Sequence, residues 1–479
     1  MSEEKNKRLR PLMLVGTGSD VGKSVLCTAF CRIFRNDGYR PAPFKAQNMA
    51  LNSFATKEGL EIGRAQAVQA EACGIEPLTD MNPLLLKPNS EHTTQVVLHG
   101  RPVGNRSAYD YFRREGREEL RNEVCAAFDR LAACYNPIVM EGAGSVSELN
   151  LRDSDLVNMP MARHADARVV LVADIDRGGV FASCYGSVQL QTPDDRARIC
   201  GIIVNKFRGD RRLFEEGRRM LEDVCGVPVL GVVPMLQGLA VEEEDSVALE
   251  HKRRTLQAGK VNVAVVLLRH ISNFTDFDTL ERDARVNLFY TASAEDIEAA
   301  DIVILPGTKA TLDDLVELRR SGLAQAILRA HAAGRQIVGI CGGFQMLGRQ
   351  VADPQGVEGG IACLPGLGLL PVETTMRAEK KTEQVEFLFH GELCRGYEIH
   401  QGVSTAEDAV VEAERCMGTY VHGILDNRAV IDWLLAGKTK DAAPDVSAED
   451  FKEQQYERLA AEVRACVDMK MIYDFLKYD

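Results

Sequence analysis

The chain has 479 residues, of which 45% are hydrophobic and 27% charged, and its formal net charge is −13. That length exceeds one ordinary core and predicts two domains plus an appendage, while the acidic balance argues against nucleic acid or an anionic membrane as partner, because phosphates demand a basic face. Thirteen cysteines without CxxC pairs or His-rich neighbours suggest neither a zinc site nor a disulfide framework, so a reduced, cytoplasmic setting is expected.

The charged N-terminal residues lead into a short apolar strand, Leu12 to Val15, too short for a signal-peptide core, and no run approaches the ~18 apolar residues of a membrane span. In the first half, apolar runs predict strands at Pro11–Val15, Thr94–Leu98, Pro137–Met140, Arg168–Ala173, Gly201–Val204 and Val227–Val233. Several are continuous Val/Ile/Leu runs, as strands buried on both faces must be. Helical patterns at Lys23–Arg35, Ile62–Cys73 and Tyr111–Cys134 alternate with them. The class is therefore α/β, with two doubly wound domains and a C-terminal helical extension. The expected boundaries are a P-loop domain at 1–240, a linker at 241–260, a second α/β domain at 261–440 and the extension at 441–479. The second unit contains strands at Val261–Leu268, Ile302–Leu305, Gln336–Ile340 and Thr419–Val421, and a helix around Leu323–Ala332. The stretch Ala448–Leu476 reads as one polar-faced helix, a lid or docking element of unstated partner.

Between the first strand and the first helix lies Gly16-Thr17-Gly18-Ser19-Asp20-Val21-Gly22-Lys23-Ser24. A glycine-rich turn there lets backbone N–H groups converge on phosphate oxygens at a helix N-terminus. Gly16, Thr17, Asp20, Val21 and Gly22 would cradle a nucleotide, Lys23 would reach its terminal phosphates and Ser24 would hold Mg²⁺. Gly16 lies six residues before Gly22 rather than five, so the loop is one residue longer than the strict pattern. Magnesium also needs hard oxygen ligands, and Glu141 at the end of Pro137–Met140 would present a carboxylate at the carboxyl edge of the sheet, where ligands of open α/β sheets bind. Asp153 and Asp155 follow; either touches metal or substrate, or caps a helix. Asn205, ending another strand, is placed to read an adenine edge.

The second half carries Gly339-Ile340-Cys341-Gly342-Gly343-Phe344-Gln345. A cysteine on a sharp strand-to-helix turn is exposed at a helix start, which favours the thiolate, and small neighbours leave room for substrate. The N–H groups of Gly307 and Gly342 are candidate oxyanion donors. The base must come from far along the chain: His422, after a strand, is preferred and His400 competes.

Further blocks are Phe44-Lys45-Ala46-Gln47-Asn48-Met49-Ala50-Leu51-Asn52-Ser53, Ile62-Gly63-Arg64-Ala65-Gln66, Met81-Asn82-Pro83-Leu84-Leu85-Leu86-Lys87-Pro88, Glu141-Gly142-Ala143-Gly144-Ser145, Asn205-Lys206-Phe207-Arg208-Gly209-Asp210 and His270 through Asp278. Together with the two motifs they resemble class I glutamine amidotransferases fused to a dethiobiotin synthetase-like domain, and within that group the cobyric acid synthase family, over almost the whole chain. The resemblance implies stepwise amidation of the b, d, e and g carboxylates of adenosylcobyrinic acid a,c-diamide in cobalamin biosynthesis, with L-glutamine as nitrogen source and ATP with Mg²⁺ as driver. Lys45, Gln47, Asn48 and Asp153 are the candidate acceptor-substrate residues; Lys45, Arg64, Lys87, Arg152, Arg177 and Arg208 would make that site locally basic, though any one of them is equally a surface charge. Most class I amidotransferases place a Glu two residues after the catalytic His. Here that position is Ile424, so a Cys–His dyad is expected and the group that orients His422 is left unnamed. Rival readings are the a,c-diamide synthase, a related polycarboxylate amidase, and a non-catalytic P-loop regulatory protein with a silent glutaminase-like domain. Intact Lys23, Ser24, Cys341 and His422 speak against the last.

Overall fold

Continuous apolar strands stack in the first half into a six-stranded sheet of order Val229–Pro234, Ile199–Phe207, Arg168–Asp174, Leu12–Gly16, Ile138–Glu141, Ala42–Phe44, in which every pairing is parallel. This computed structural model describes residues 8–88, 93–107, 117–239, 256–439, 441 and 446–478. Because the strands run the same way, their carboxyl ends share one edge, and Gly16, Glu141, Asp174 and Asn205 fall on it. The helix Lys23–Asn36 starts at Gly22, which is left-handed (φ 94°), and buries Leu26, Cys27, Phe30, Ile33 and Phe34.

A second six-stranded sheet runs Val286–Thr291, Val261–Val266, Ile302–Leu305, Gln336–Ile340, Cys416–Thr419, Val410–Ala413, parallel except for the last pair. Beside it lies a five-stranded sheet dominated by the long hairpin Glu373–Phe389 and Glu392–Ser404. Among the described residues no helix is long and apolar enough to cross a membrane.

Four expectations need correction. The segment Thr93–Leu98 is a strand, but it belongs to a separate four-stranded sheet and pairs antiparallel with Leu84–Pro88 and Arg101–Ser107. Its connection to the latter is two residues, His99 and Gly100, both at positive φ; so short a turn admits only an antiparallel neighbour. The expected strand Thr419–Val421 is two strands in two sheets, Cys416–Thr419 and Val421–His422. The Thr419 hydroxyl accepts the Val421 N–H at 2.9 Å, which turns the chain at Tyr420 and delivers His422 to the other sheet. The C-terminal stretch is likewise two helices, Ala448–Arg464 and Met469–Leu476, separated where Val467 bridges Gly231. Finally, Ile62–Gly63 belongs to the strand Glu61–Gly63, and the helix begins at Arg64. Of the expected helix Tyr111–Cys134, the structure shows Arg117–Cys134, and residues 111–116 lie outside the described residues. Most of the expected linker, residues 240–255, also lies outside them.

The partner of the C-terminal extension is the first unit. Tyr456, Leu459, Ala460, Val463, Ile472 and Leu476 share one apolar cluster with Leu26, Phe30, Ile33 and Phe34. Above it Arg32, its side chain 4% exposed, pairs with Glu453 and Glu457.

Candidate functional site

The phosphate loop closes on the carboxyl edge of the first sheet. The Thr17 N–H donates to Val172 O at 3.0 Å, and Gly16 O accepts from Val146 N at 2.9 Å. A Cβ at Gly16 would come within 2.7 Å of Gly18 O, and Gly22 combines a left-handed φ of 94° with a Cβ position 2.2 Å from Asn205 Nδ2, so both positions favour glycine. Lys23 reaches back across the loop to Gly18 O (2.9 Å) and Gly144 O (3.0 Å), and burial lowers its pKa against the pull of Glu141.

Ser24 Oγ lies 2.9 Å from Glu141 Oε1, which also meets Lys45 Nζ at 2.8 Å; Gln69 Nε2 donates to the other oxygen at 2.6 Å. Burial works to protonate Glu141, yet Lys45, Gln69 and Ser24 together hold its pKa below the ordinary value. A hydroxyl and an ionised carboxylate beside Lys23 are the hard oxygen pair that Mg²⁺ and a triphosphate require, so the residues present fit both groups.

Asn205 falls on this edge, as expected. Its Nδ2 donates to Val21 O at 2.9 Å, which fixes the loop from below. Asp20 is left-handed (φ 55°), and its carbonyl receives Lys206, which also pairs with Asp174 at 3.2 Å. Of the acceptor residues, Lys45 is buried against Glu141, and Asn48 is buried with its Nδ2 on Gln66 Oε1 at 3.0 Å. Gln47 sits half-buried in the strand Gln47–Met49, while Asp153 is exposed in the turn Leu149–Ser154. Asp155 caps the next turn, accepting from Val157 N and Asn158 N. The basic set divides similarly: Arg64 and Lys87 are buried, while Arg177 and Arg208 are exposed at the sheet edge.

In the second unit, Cys341 sits at φ 51°, ψ −109° between the strand Gln336–Ile340 and the helix Gly342–Leu347. A left-handed non-glycine residue here is strained, and the strain aims the thiol out of the turn. Gly343 lies against Leu305 O so closely that a Cβ would come within 2.1 Å. Cys341 lines a cavity of about 50 Å³ with Thr308, Thr311, Gln345, Glu358, Ile399, His400 and His422. Gly307 and Gly342 flank it: Cβ positions built on them come within 3.3 Å of His422 Cε1 and 2.5 Å of Thr308 Cγ2 respectively.

His422 lines the same cavity as Cys341, whose Sγ lies 3.7 Å from Ile399 O, and through Nδ1 it is hydrogen-bonded to Asp276 Oδ2 at 2.7 Å. Asp276 Oδ1 accepts the Gly423 N–H at 2.9 Å, and both side chains are about 98% or more buried, at 1% and 2% exposure. Burial opposes charge on the imidazole, but Asp276 and Cys341 outweigh it and raise the His422 pKa to about 10. The arrangement is a Cys–His–Asp triad rather than a dyad, and Asp276 is the orienting group that sequence reasoning left unnamed. His400 lines the same cavity, but its ring is engaged by other groups: Nδ1 meets Gly402 O at 2.7 Å, Nε2 faces Glu398 at 3.3 Å, and the ring stacks on Tyr420.

Residues 12–247 match the CobQ/CobB/MinD/ParA nucleotide binding domain, and residues 262–430 the CobB/CobQ-like glutamine amidotransferase domain. Over 98% of this chain and 99% of its own length, a cobyric acid synthase of Bacteroides fragilis is 65% identical. The chain belongs to the cobyric acid synthase family. Cobyric acid synthases of Phocaeicola vulgatus and Syntrophobacter fumaroxidans are 62% and 48% identical, each over at least 97% of both chains. Family membership accounts for the pairing of a nucleotide-binding unit with an amidotransferase unit in one enzyme. It leaves Glu358 as the other residue sequence reasoning missed. This half-buried residue turns its carboxylate into the Cys341 cavity against Thr311 Oγ1 (3.2 Å) and Leu312 N (3.3 Å), and desolvation there raises its pKa to about 7. No motif surrounds it in the sequence, only the loop Asp353-Pro354-Gln355-Gly356-Val357.

Proposed function

We propose that this chain uses ATP, Mg²⁺ and L-glutamine to convert the b, d, e and g carboxylates of adenosylcobyrinic acid a,c-diamide into amides, yielding adenosylcobyric acid, in the cytoplasm. Residues 1–240 and 261–440 serve as the synthetase and glutaminase units, with 441–479 as an extension of the first. The observation that carries the reading is the Cys341–His422–Asp276 triad in a cavity whose wall also includes Leu51 and Lys87 of the synthetase unit. A thiol engine facing the other unit can supply nitrogen to it.

The Cys341 sulfur adds to the side-chain carboxamide of glutamine, and the N–H groups of Gly307 and Gly342 receive the oxyanion. As the C–N bond breaks, His422 gives its proton to the departing nitrogen, so ammonia leaves and a thioester remains on Cys341. His422 then takes a proton from water, whose oxygen attacks the thioester to release glutamate and restore the thiolate. Asp276 keeps the imidazole in one orientation through both steps. Glu358 is placed to face the ammonium end of glutamine.

At the other site, Gly16, Thr17, Asp20, Val21, Gly22 and Lys23 would hold the triphosphate, with Ser24 and Glu141 on the metal. Bound ATP supplies the phosphoryl group that turns a carboxylate into an acyl phosphate with a good leaving group. Gln47, Asn48 and Asp153, with Arg177 and Arg208 at the edge, are the residues offered for the acceptor. Purified protein incubated with the diamide, ATP, Mg²⁺ and glutamine should give products that gain successive amides by mass. A product mass that never changes would overturn the reading.

A further inference from the structure

The wall of the Cys341 cavity that faces the synthetase unit is made of charge. Lys87, Lys309 and Lys380 all line it. Glu61 sits behind them, its side chain fully buried, with Oε1 2.6 Å from Lys87 Nζ and Oε2 2.5 Å from Lys380 Nζ. Ser53 closes the group, its hydroxyl 2.7 Å from Glu61 and 2.8 Å from Lys87, and its N–H on Asn273 Oδ1 at 3.0 Å. Lys309 Nζ reaches across to Gln95 Oε1 at 3.1 Å. Glu61, Lys87, Ser53 and Gln95 belong to the synthetase unit; Lys380, Lys309 and Asn273 belong to the glutaminase. The ion pair Lys380–Glu61 therefore crosses the boundary.

We propose that the Lys380–Glu61–Lys87 cluster is the closed gate between the two sites: ammonia formed at Cys341 leaves through this wall, and the lysines turn back ammonium. Three observations converge on it. The cluster lies on the cavity itself, on the side facing the acceptor unit. Glu61 opens the strand Glu61–Gly63, which leads directly into the helix Arg64–Cys73, and Gln69 of that helix donates to Glu141 beside Ser24. Glu61 is thus tied through one short strand and one helix to the phosphate site, so occupation there has a physical route to the gate. Lastly, the charges are expensive where they stand: buried ion pairs rarely stabilise more than apolar packing of the same volume would. Burial lowers the pKa of Lys380 to about 7 and of Lys309 to about 8, while Lys380 and Lys87 hold Glu61 well below the ordinary carboxylate value against its burial. A wall of this kind repels a cation and is indifferent to a neutral molecule the size of ammonia. Opening requires only that Lys380 withdraw with its hairpin from Glu61.

This inference rests on the glutamine-dependent ligase reading and is tested by product ratios. Glutamate and amide are measured together in the unaltered enzyme, Lys380→Met and Lys380→Arg, with the diamide, ATP, Mg²⁺ and glutamine. In Lys380→Met the glutamate-to-amide ratio should rise about tenfold, equivalent to about 1.4 kcal/mol of lost closure, with ammonium accumulating in solution. Lys380→Arg should return the ratio to that of the unaltered enzyme, which a merely disturbed interface would not predict. Synthesis from added ammonium salt, retained in Lys380→Met, shows that the synthetase unit is folded. A Lys380→Met ratio equal to that of the unaltered enzyme overturns the gate, as does an arginine variant as leaky as the methionine one. Failure of the ligase reading itself looks different, since the unaltered enzyme would then form no amide at all.

Discussion

At the phosphate loop, the nine residues from Gly16 to Ser24 supply almost the whole cradle, and Glu141 and Asn205 complete it from neighbouring strand ends of the same sheet. At the cysteine, the groups come from Asp276, Gly307, Cys341, Glu358 and His422, and the far wall comes from another unit altogether. The first site is a local device that a single sheet edge can hold rigid. The second gathers its reacting groups from residues 276 to 422 of one unit and takes only its far wall from the other, so docking decides what that cavity opens onto. Coupled chemistry benefits from this asymmetry: the energy-supplying site stands ready, while the nitrogen-supplying site depends on its neighbour.

The largest expected effect separates the two sites. Cys341→Ser should abolish glutamine-dependent amidation while synthesis from ammonium salts continues, as followed by product mass with each donor. Full activity with glutamine would remove Cys341 from the scheme. Lys23→Ala should stop amidation with either donor, because the loop serves both; turnover with ammonia in that variant would mean the nucleotide binds elsewhere.

A smaller effect sharpens the triad. Asp276→Asn should lower glutamine hydrolysis by up to about 10⁴-fold, the loss expected when the orienting carboxylate of a triad is neutralised. It should also shift the pH profile. With Asp276 present the imidazolium persists as pH rises toward about 10; without that charge, the basic limb should fall at lower pH, toward the ordinary histidine value of about 6.5. The same raised pKa stabilises the fold fully below about 6.5, and this contribution is lost as pH rises through about 10. An unchanged profile in the asparagine variant would assign the imidazole's charge to another group.

The smallest effect concerns the extension. Leu459 is fully buried between the C-terminal helix and the helix Lys23–Asn36, so Leu459→Ala should cost about 2–5 kcal/mol of stability. Thermal melting should show the loss with nucleotide-dependent steps more affected than glutamine hydrolysis. Equal loss at both sites would place the extension's role at the unit boundary instead.

The difference in construction also explains what could be read from the chain. Gly16, Lys23, Ser24 and Glu141 were legible because strand, turn and helix follow one another, and continuous Val/Ile/Leu runs announce parallel strands. Cys341 was legible for the same reason, as its turn is local. Asp276 was visible as part of a distinctive block but not as a partner of His422, because 146 residues separate them and only the turn at Tyr420 brings them together. The hairpin Glu373–Phe389/Glu392–Ser404 gave little signal, since its exposed polar positions carry no core pattern. Lys87 read equally as a surface charge, and Glu61 and Lys380, which pair around it, stand in no motif that announces them. Arg64 and Lys45 were named from motif loops as possible acceptor charges, and their burial was not legible there.

Arg32 and its helix are covered by residues 425 positions further along. The amino-terminal half therefore lacks part of its hydrophobic cover until the ribosome has finished the glutaminase and the final helices emerge. Synthesis order is thereby built into maturation: a product truncated before Ala448 would leave the apolar face of the helix Lys23–Asn36 without this cover.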